Sequence, residues 1–208
     1  NSVIEKKFLQ CLEKENVTSF GGVPFTFSMI DRAHKDKFIF GSLKYVTQAG
    51  GKMNEKLLKN YLKIFKKNNK KFYLMYGAAE ATARMSFLDW RNAETKFGSI
   101  GKPIPGGEFF IEKDKKIIEE TNVEGELIYK GQNVCLGYAN NIEDLTLGDR
   151  NNGLLKTGDI AYKDKDDFYF LKGRKDRFIK IFGIRVNLIE VEQLIFHYGL
   201  ENICKQIA

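Results

Sequence analysis

Apolar positions along the first hundred residues recur with two periods, one helical and one strand-like. Ser2-Val3-Ile4-Glu5 has the form of a capping box and predicts a helix to about Lys14, with Ile4, Phe8, Cys11 and Leu12 facing inward. A short apolar strand, Val17 to Phe20, follows and breaks at Gly21-Gly22. Pro24 suits the first turn of a second helix, to about Ala33. Leu43 to Thr47 reads as a buried strand ending at Gly50-Gly51, and Phe72 to Tyr76 as another ending at Gly77. Between them Asn54 is placed to cap a helix with Leu57, Leu58, Tyr61, Leu62 and Phe65 on one face. Strand, helix, strand with crossovers of this length predicts an α/β fold, a parallel sheet with covering helices. Ligands of such sheets sit beyond the carboxyl ends of the strands. The loops at Gly21-Gly22, Gly50-Gly51 and Gly77 to Glu80 are therefore expected on one rim.

From Gly98 helical periods vanish. Short strands alternate with glycine turns at Glu108 to Glu112, Gly125 to Lys130, Asp159 to Tyr162 and Phe168 to Lys172. The last two are joined by a polar turn, Lys163 to Asp167, which predicts a hairpin. This is the pattern of a β-rich subdomain. A third texture starts at Asp176, where Phe178 to Phe182 and Ile184 to Val186 flank Gly183. A helix capped at Asn187 follows, with Val191, Leu194, Ile195 and Tyr198 on its apolar face and Gly199 as its stop. The chain thus divides into residues 1–97, 98–175 and 176–208, the last being the start of a small α+β domain. The first residue is Asn rather than Met, which leads to the expectation that the chain begins inside a longer protein.

Composition narrows the class. An apolar fraction of 43% with 17 Phe and 9 Tyr supports a packed core and argues against disorder. The net charge of +7 raises the question of a nucleic-acid partner. Much of that excess lies in Lys56, Lys59, Lys63, Lys66, Lys67, Lys70 and Lys71, mostly opposite the apolar face of the third helix, where a solvated surface accounts for it. The reading is accordingly of no nucleic-acid partner. No apolar run approaches the roughly 20 residues of a membrane span, so no transmembrane segment is expected. Cys11, Cys135 and Cys204 form no C-x-x-C and are odd in number, so a disulfide framework or a zinc site has little support and a reduced, cytoplasmic setting follows.

Four segments carry candidate chemistry. Tyr76-Gly77-Ala78-Ala79-Glu80, at a strand end, offers a ring to stack a flat base and a carboxylate to hold a cation, though packing alone also explains a strand-end Tyr. Gly125-Glu126-Leu127-Ile128 through Gly137-Tyr138 reads as strand, turn, strand. Lys156-Thr157-Gly158-Asp159 puts a carboxylate in a turn, where it can accept from a ribose diol or simply close an Asx-type turn. Gly173-Arg174-Lys175-Asp176 through Ile184-Arg185-Val186, followed by Glu190 and Glu192, has a charge density unusual for a plain hairpin.

In order and spacing these segments resemble the adenylate-forming family of acyl- and aryl-CoA synthetases, peptide-synthetase adenylation domains and beetle luciferases. The resemblance runs through essentially the whole chain, and Gly98-Ser99-Ile100-Gly101-Lys102-Pro103 to Gly106 also fits it. It implies an AMP-forming ligase that activates a small carboxylic acid with ATP and Mg2+ and passes the acyl group to a thiol, that of CoA or of a carrier protein's phosphopantetheine. It further implies that residues 1–97 and 98–175 belong to the large N-terminal domain and 176–208 open the C-terminal lid. By motif, Tyr76 would stack on adenine, with Gly77 beside it in the nucleotide site. Glu80 would hold magnesium, Gly50 and Gly51 would bring backbone close to adenine and the acyl group, and Asp159 and Arg174 would grip the ribose. Asp176 would be the hinge, and Lys180 would face the site in the thiol-transfer arrangement.

The chain departs from the family pattern at Ala79, where Thr is usual, so a hydroxyl expected near the phosphates is missing. Thr82 lies too far along to replace it. The Ser/Thr/Gly-rich phosphate loop ending in Pro-Lys-Gly and the lysine expected late in the C-terminal domain are not in these 208 residues, which alone are expected to be inactive. Gly51-Lys52 is no Walker loop, since Val46 and Met53 stand where Gly and Ser or Thr are needed. His34 and His197 form no triad or ligand spacing. Phe20, Phe25 and Phe27 tilt the expected acid toward an apolar one. The competing reading is a non-catalytic ATP- or AMP-binding relative, motivated by Ala79; a basic nucleic-acid-binding module rests on the lysines alone.

Overall fold

The computed structural model describes residues 2–175, 178–181, 184–188, 191, 194 and 195. Asp176, Glu190, Glu192, His197, Tyr198, Gly199 and Cys204 lie outside them.

Helix α1 (Lys6–Lys14) starts later than the capping-box pattern suggests. Glu5 does reach back, accepting a hydrogen bond from the Ser2 backbone N–H at 2.8 Å, but the first turn forms only after it. This shift sets the helical phase. Phe8 is buried and Leu9 and Leu12 pack beside it, whereas Ile4 and Cys11, expected inside, are exposed. Strand β1 (Ser19–Gly22) runs through the glycines expected to end it. Helix α2 (Pro24–His34) begins at its proline as read. Strand β2 (Tyr45–Gln48) leads to helix α3 (Glu55–Lys67), and Asn54 caps that helix by accepting from the backbone of Lys56 and Leu57 at 3.0 and 3.2 Å. Its Leu58, Tyr61, Leu62 and Phe65 are buried and its lysines exposed.

Strand β3 (Lys71–Tyr76) completes a parallel trio with β1 and β2. The sheet then turns antiparallel. It continues through β4 (Ser86–Leu88), β5 (Ser99–Pro103), β6 (Gly107–Lys113), β7 (Lys116–Ile118), β8 (Gly125–Gly131), β9 (Leu154–Lys163) and β10 (Tyr169–Arg174). Ten strands run in the order β1-β2-β3-β4-β5-β10-β9-β8-β6-β7. Strands β4, β5 and β7, of three to five residues, are too short to show an alternation in sequence. The hairpin expected across Lys163 to Asp167 forms, with Tyr169 opposite Lys163. A separate pair, β11 (Phe178–Ile181) and β12 (Ile184–Asn187), is antiparallel.

Two apolar clusters lie along this sheet. The first is aromatic: Phe27, fully buried, meets Phe20, Phe38, Tyr61 and Phe72 at centroid distances of 5.4 to 6.4 Å. Edge-on pairs at such distances add attraction beyond the area they bury. Tyr61 enters this apolar setting by donating to the Phe27 carbonyl at 3.0 Å. The second cluster gathers Met85, Phe109, Leu127, Tyr129, Ala161 and Tyr169. Strands β5 and β10 join the two halves, where the Ser99 hydroxyl donates to the Tyr169 carbonyl at 2.7 Å. No helix among the described residues is long and apolar enough to cross a membrane.

Candidate nucleotide cleft

Strand β3 delivers Tyr76 to the carboxyl edge of the parallel trio, and the chain doubles back at once. Gly77 makes that turn possible, since a Cβ there would lie 2.2 Å from the Ala83 carbonyl oxygen. The 3-10 turn Ala79–Ala81 follows, with Thr82 and Ala83 in the left-handed region at φ of 46° and 68°. Met85 then donates its N–H to the Tyr76 carbonyl at 3.0 Å, starting β4.

The partner of Tyr76 comes from far along the chain. Its phenol donates to Asp159 Oδ2 at 2.5 Å, across 83 residues. Asp159 is fixed by its own turn. Gly158 takes φ of +71°, and the Thr157 hydroxyl donates to the Leu127 carbonyl at 2.8 Å while accepting the Asp159 N–H at 3.1 Å. Arg174, paired with Asp159 in the β9–β10 register, brings Nη1 to 3.4 Å from Asp159 Oδ1. Burial pushes the Tyr76 phenol well above its ordinary range and the Asp159 charge adds to this, so Tyr76 is a neutral donor.

The loop after β2 forms the facing wall. Buried Gln48 donates through Nε2 to the carbonyls of Ala49 and Gly51 at 3.0 and 2.9 Å, folding Gly50 and Gly51 back with φ of 77° and 149°. A Cβ on Gly50 would sit 3.0 Å from Val23. Between these elements lies a cleft of about 780 Å³ whose lining includes Gly50, Gly51, Tyr76, Gly77, Asp159 and Arg174. That volume falls in the range of small-molecule sites. Gln48, Ser99, Ile100, Tyr162 and Lys172 also line it and were not foreseen. Ser99 and Ile100 lie in the Gly98 to Gly106 motif. For Gln48 the signal available was a polar residue two positions before the glycine pair.

Other expected residues stand elsewhere. Glu80 sits on the Ala79–Ala81 turn beside the cleft rather than in its lining. Tyr138 donates to Glu80 Oε1, and that bond holds the Glu80 carboxyl below the usual carboxylate range, helped by the charge of Arg174. The Cys135 N–H donates to the Glu80 carbonyl at 2.6 Å. No group of three or more His, Cys, Asp or Glu capable of caging a metal occurs among the described residues. A single carboxylate nevertheless fits magnesium, which commonly takes one or two carboxylates, waters and substrate phosphates. Lys180 lies on β11 opposite Arg185. Asp176 is outside the described residues. Thr82 donates to the Asn133 carbonyl at 3.2 Å, so its hydroxyl is engaged away from position 79. Phe27 belongs to the core, Phe25 is exposed, and neither they nor Phe20 line the cleft, which removes the basis for expecting an apolar acid.

Residues 2–139 match the family model described as AMP-binding enzyme. Among curated proteins, 2-succinylbenzoate–CoA ligase of Bacillus cytotoxicus is 34% identical over 62% of this chain and 26% of its own length. Luciferin 4-monooxygenase of Luciola mingrelica is 29% identical over 93% of this chain and 35% of its own. Among solved structures, O-succinylbenzoate coenzyme A synthetase from Bacillus subtilis, in complex with ATP and magnesium ion, matches with a TM-score of 0.78 and 26% identity. That match covers 96% of this chain and 40% of the synthetase. The chain thus spans between about a quarter and two fifths of these relatives.

Proposed function

The chain belongs to the AMP-binding enzyme family, and from that premise we propose that the protein carrying it is an AMP-forming ligase of a carboxylic acid and a thiol. The acid's carboxylate attacks the α-phosphorus of ATP, the bond to the β-phosphate oxygen breaks, and pyrophosphate leaves with that electron pair. The resulting acyl-adenylate is a mixed anhydride. The thiol of CoA, or of a carrier's pantetheine, then attacks the acyl carbon and AMP departs. CoA ligases among the relatives support the thiol acceptor.

In this reading the ring of Tyr76 carries adenine while its phenol holds Asp159 in place. Asp159 accepts from the ribose hydroxyls, and Arg174 keeps that carboxylate oriented. Gly50, Gly51 and Gly77 leave room for backbone N–H and C=O groups to approach the nucleotide. Glu80 is the protein's carboxylate for magnesium, which when bound neutralises phosphate charge. Catalysis of this kind is largely positioning and charge stabilisation. Residues 1–97 and 98–175 are the α/β and β-rich parts of one large domain, and residues 176–208 belong to a smaller one that pivots at Asp176 and presents Lys180 for thiol transfer.

The observation that carries the proposal is the meeting of Tyr76, Asp159 and Arg174, remote in sequence, around one cleft. Its test is carboxylate-dependent ATP–pyrophosphate exchange by the complete protein over a panel of acids. Exchange with one acid class is expected. Nucleotide binding without exchange by any acid would refute it. That outcome favours the second reading, a non-catalytic ATP- or AMP-binding relative, for which Ala79 speaks: it is exposed on the turn, and the nearby Thr82 hydroxyl is bonded elsewhere.

A further inference from the structure

The long β8–β9 connection, residues 132–153, is tied down beside Glu80 by a set of bonds that nucleotide binding does not explain. Asn133 donates through Nδ2 to the carbonyls of Ala81 and Arg84 at 2.7 and 2.9 Å, and its Oδ1 accepts from the Tyr129 phenol at 2.8 Å. The Cys135 N–H takes the Glu80 carbonyl, and Asn151 Nδ2 holds the Cys135 carbonyl at 2.7 Å. Arg150 donates its N–H to the Leu136 carbonyl at 2.8 Å and its guanidinium to the Tyr138 carbonyl. The backbone on both sides of Gly137 is thereby anchored, and Tyr138 sits at the end of this clamp with its hydroxyl on Glu80 Oε1.

Tyr138 is otherwise 66% exposed. A large aromatic held out in solvent adds little to stability. Among the described residues its hydroxyl bonds the Glu80 carboxylate, which offers about four lone-pair positions. The phenol takes one and leaves the others for a cation. We propose that Tyr138 is a positioning residue that fixes the Glu80 carboxylate for a divalent cation, the clamp of Asn133, Arg150 and Asn151 holding the tyrosine in turn. The proposal rests on the reading of Glu80 as the magnesium carboxylate. Partners that orient a metal-binding side chain commonly matter about 10- to 100-fold in metal affinity, and exposure puts Tyr138 at the lower end.

The test uses the complete protein as wild type, Tyr138→Phe and Glu80→Gln, with Mn2+ titrated by the paramagnetic resonance of the free ion in the presence of a non-hydrolysable ATP analogue. Tyr138→Phe should weaken Mn2+ about tenfold and raise the Mg2+ concentration needed for half-maximal exchange alongside it. Exchange at saturating Mg2+ should return to the wild-type rate, and thermal melts should coincide. Unchanged or tighter Mn2+ binding by Tyr138→Phe, with Glu80→Gln impaired, would overturn the role of Tyr138 and leave that of Glu80 standing. Wild-type Mn2+ affinity in Glu80→Gln would overturn both, because it removes the carboxylate from the cation site.

Discussion

Tyr76 has two separable tasks, and two substitutions divide them. Tyr76→Phe keeps the ring and removes the donor from Asp159 Oδ2. The Asp159 side chain is only 14% exposed, so water is poorly placed to replace that donor at Oδ2. A hydrogen bond to a charged group contributes about 1.5–3 kcal/mol net. The proposed large domain extends beyond this chain, which spans 40% of the matched synthetase; for roughly 400 residues each kcal/mol moves the melting midpoint by about 1–1.5 °C, so a drop of about 2–4 °C is expected. ATP affinity should fall less than in Tyr76→Ala, because the stacking face is intact and Arg174 still contacts the Asp159 carboxylate that accepts from the ribose. Tyr76→Ala removes the face as well, and loss of base–aromatic stacking is worth about 1–3 kcal/mol, or roughly 5- to 150-fold in Kd. The assay is calorimetric ATP binding to the complete protein beside its thermal melt. Wild-type melting by Tyr76→Phe would refute the structural bond, and wild-type ATP affinity in Tyr76→Ala would remove adenine from this ring.

Further predictions concern the frame around the cleft. Gly101→Ala should destabilise by at least about 2 kcal/mol, because φ there is +82° and a Cβ would lie 1.9 Å from the Phe87 carbonyl oxygen between β4 and β5; a melt within a degree of wild type would contradict it. Asn54→Ala should cost about 1 kcal/mol by stripping the α3 cap, read as a lower denaturation midpoint at unchanged slope. Burial pushes the Tyr169 phenol up to about 12, with the charge of Asp167 adding. The unfolded chain therefore loses this proton first: stability should hold below about pH 10 and fall as pH rises toward 12. Tyr169→Phe should flatten that decline in an alkaline melting series.

The local devices were legible in the chain because each is fixed by near neighbours. Pro24 opening α2, Asn54 capping α3, the buried face of α3 and the β9–β10 hairpin all follow from residues within a turn or two. The parallel trio followed as well, since strands separated by helical crossovers have little other choice. The family resemblance supplied roles for single residues, but it carried no information on how they touch.

Only the tertiary structure decided those contacts. Nothing near Tyr76 indicates that its phenol meets Asp159, because the bond depends on β5 pairing with β10 and so carrying the β9–β10 hairpin to the end of β3. The same holds for Tyr138 on Glu80 and for Asn133 on the turn after Gly77. Phe20, Phe25 and Phe27 illustrate the reverse. An aromatic-rich stretch reads equally well as a pocket wall or as core; long-range packing against Tyr61 and Phe72 puts Phe27 in the core, while Phe25 is exposed. Periodicity and capping report on a residue's own element. Which elements meet is a property of the assembled sheet, and its strand order brings Tyr76, Asp159 and Arg174 to one cleft.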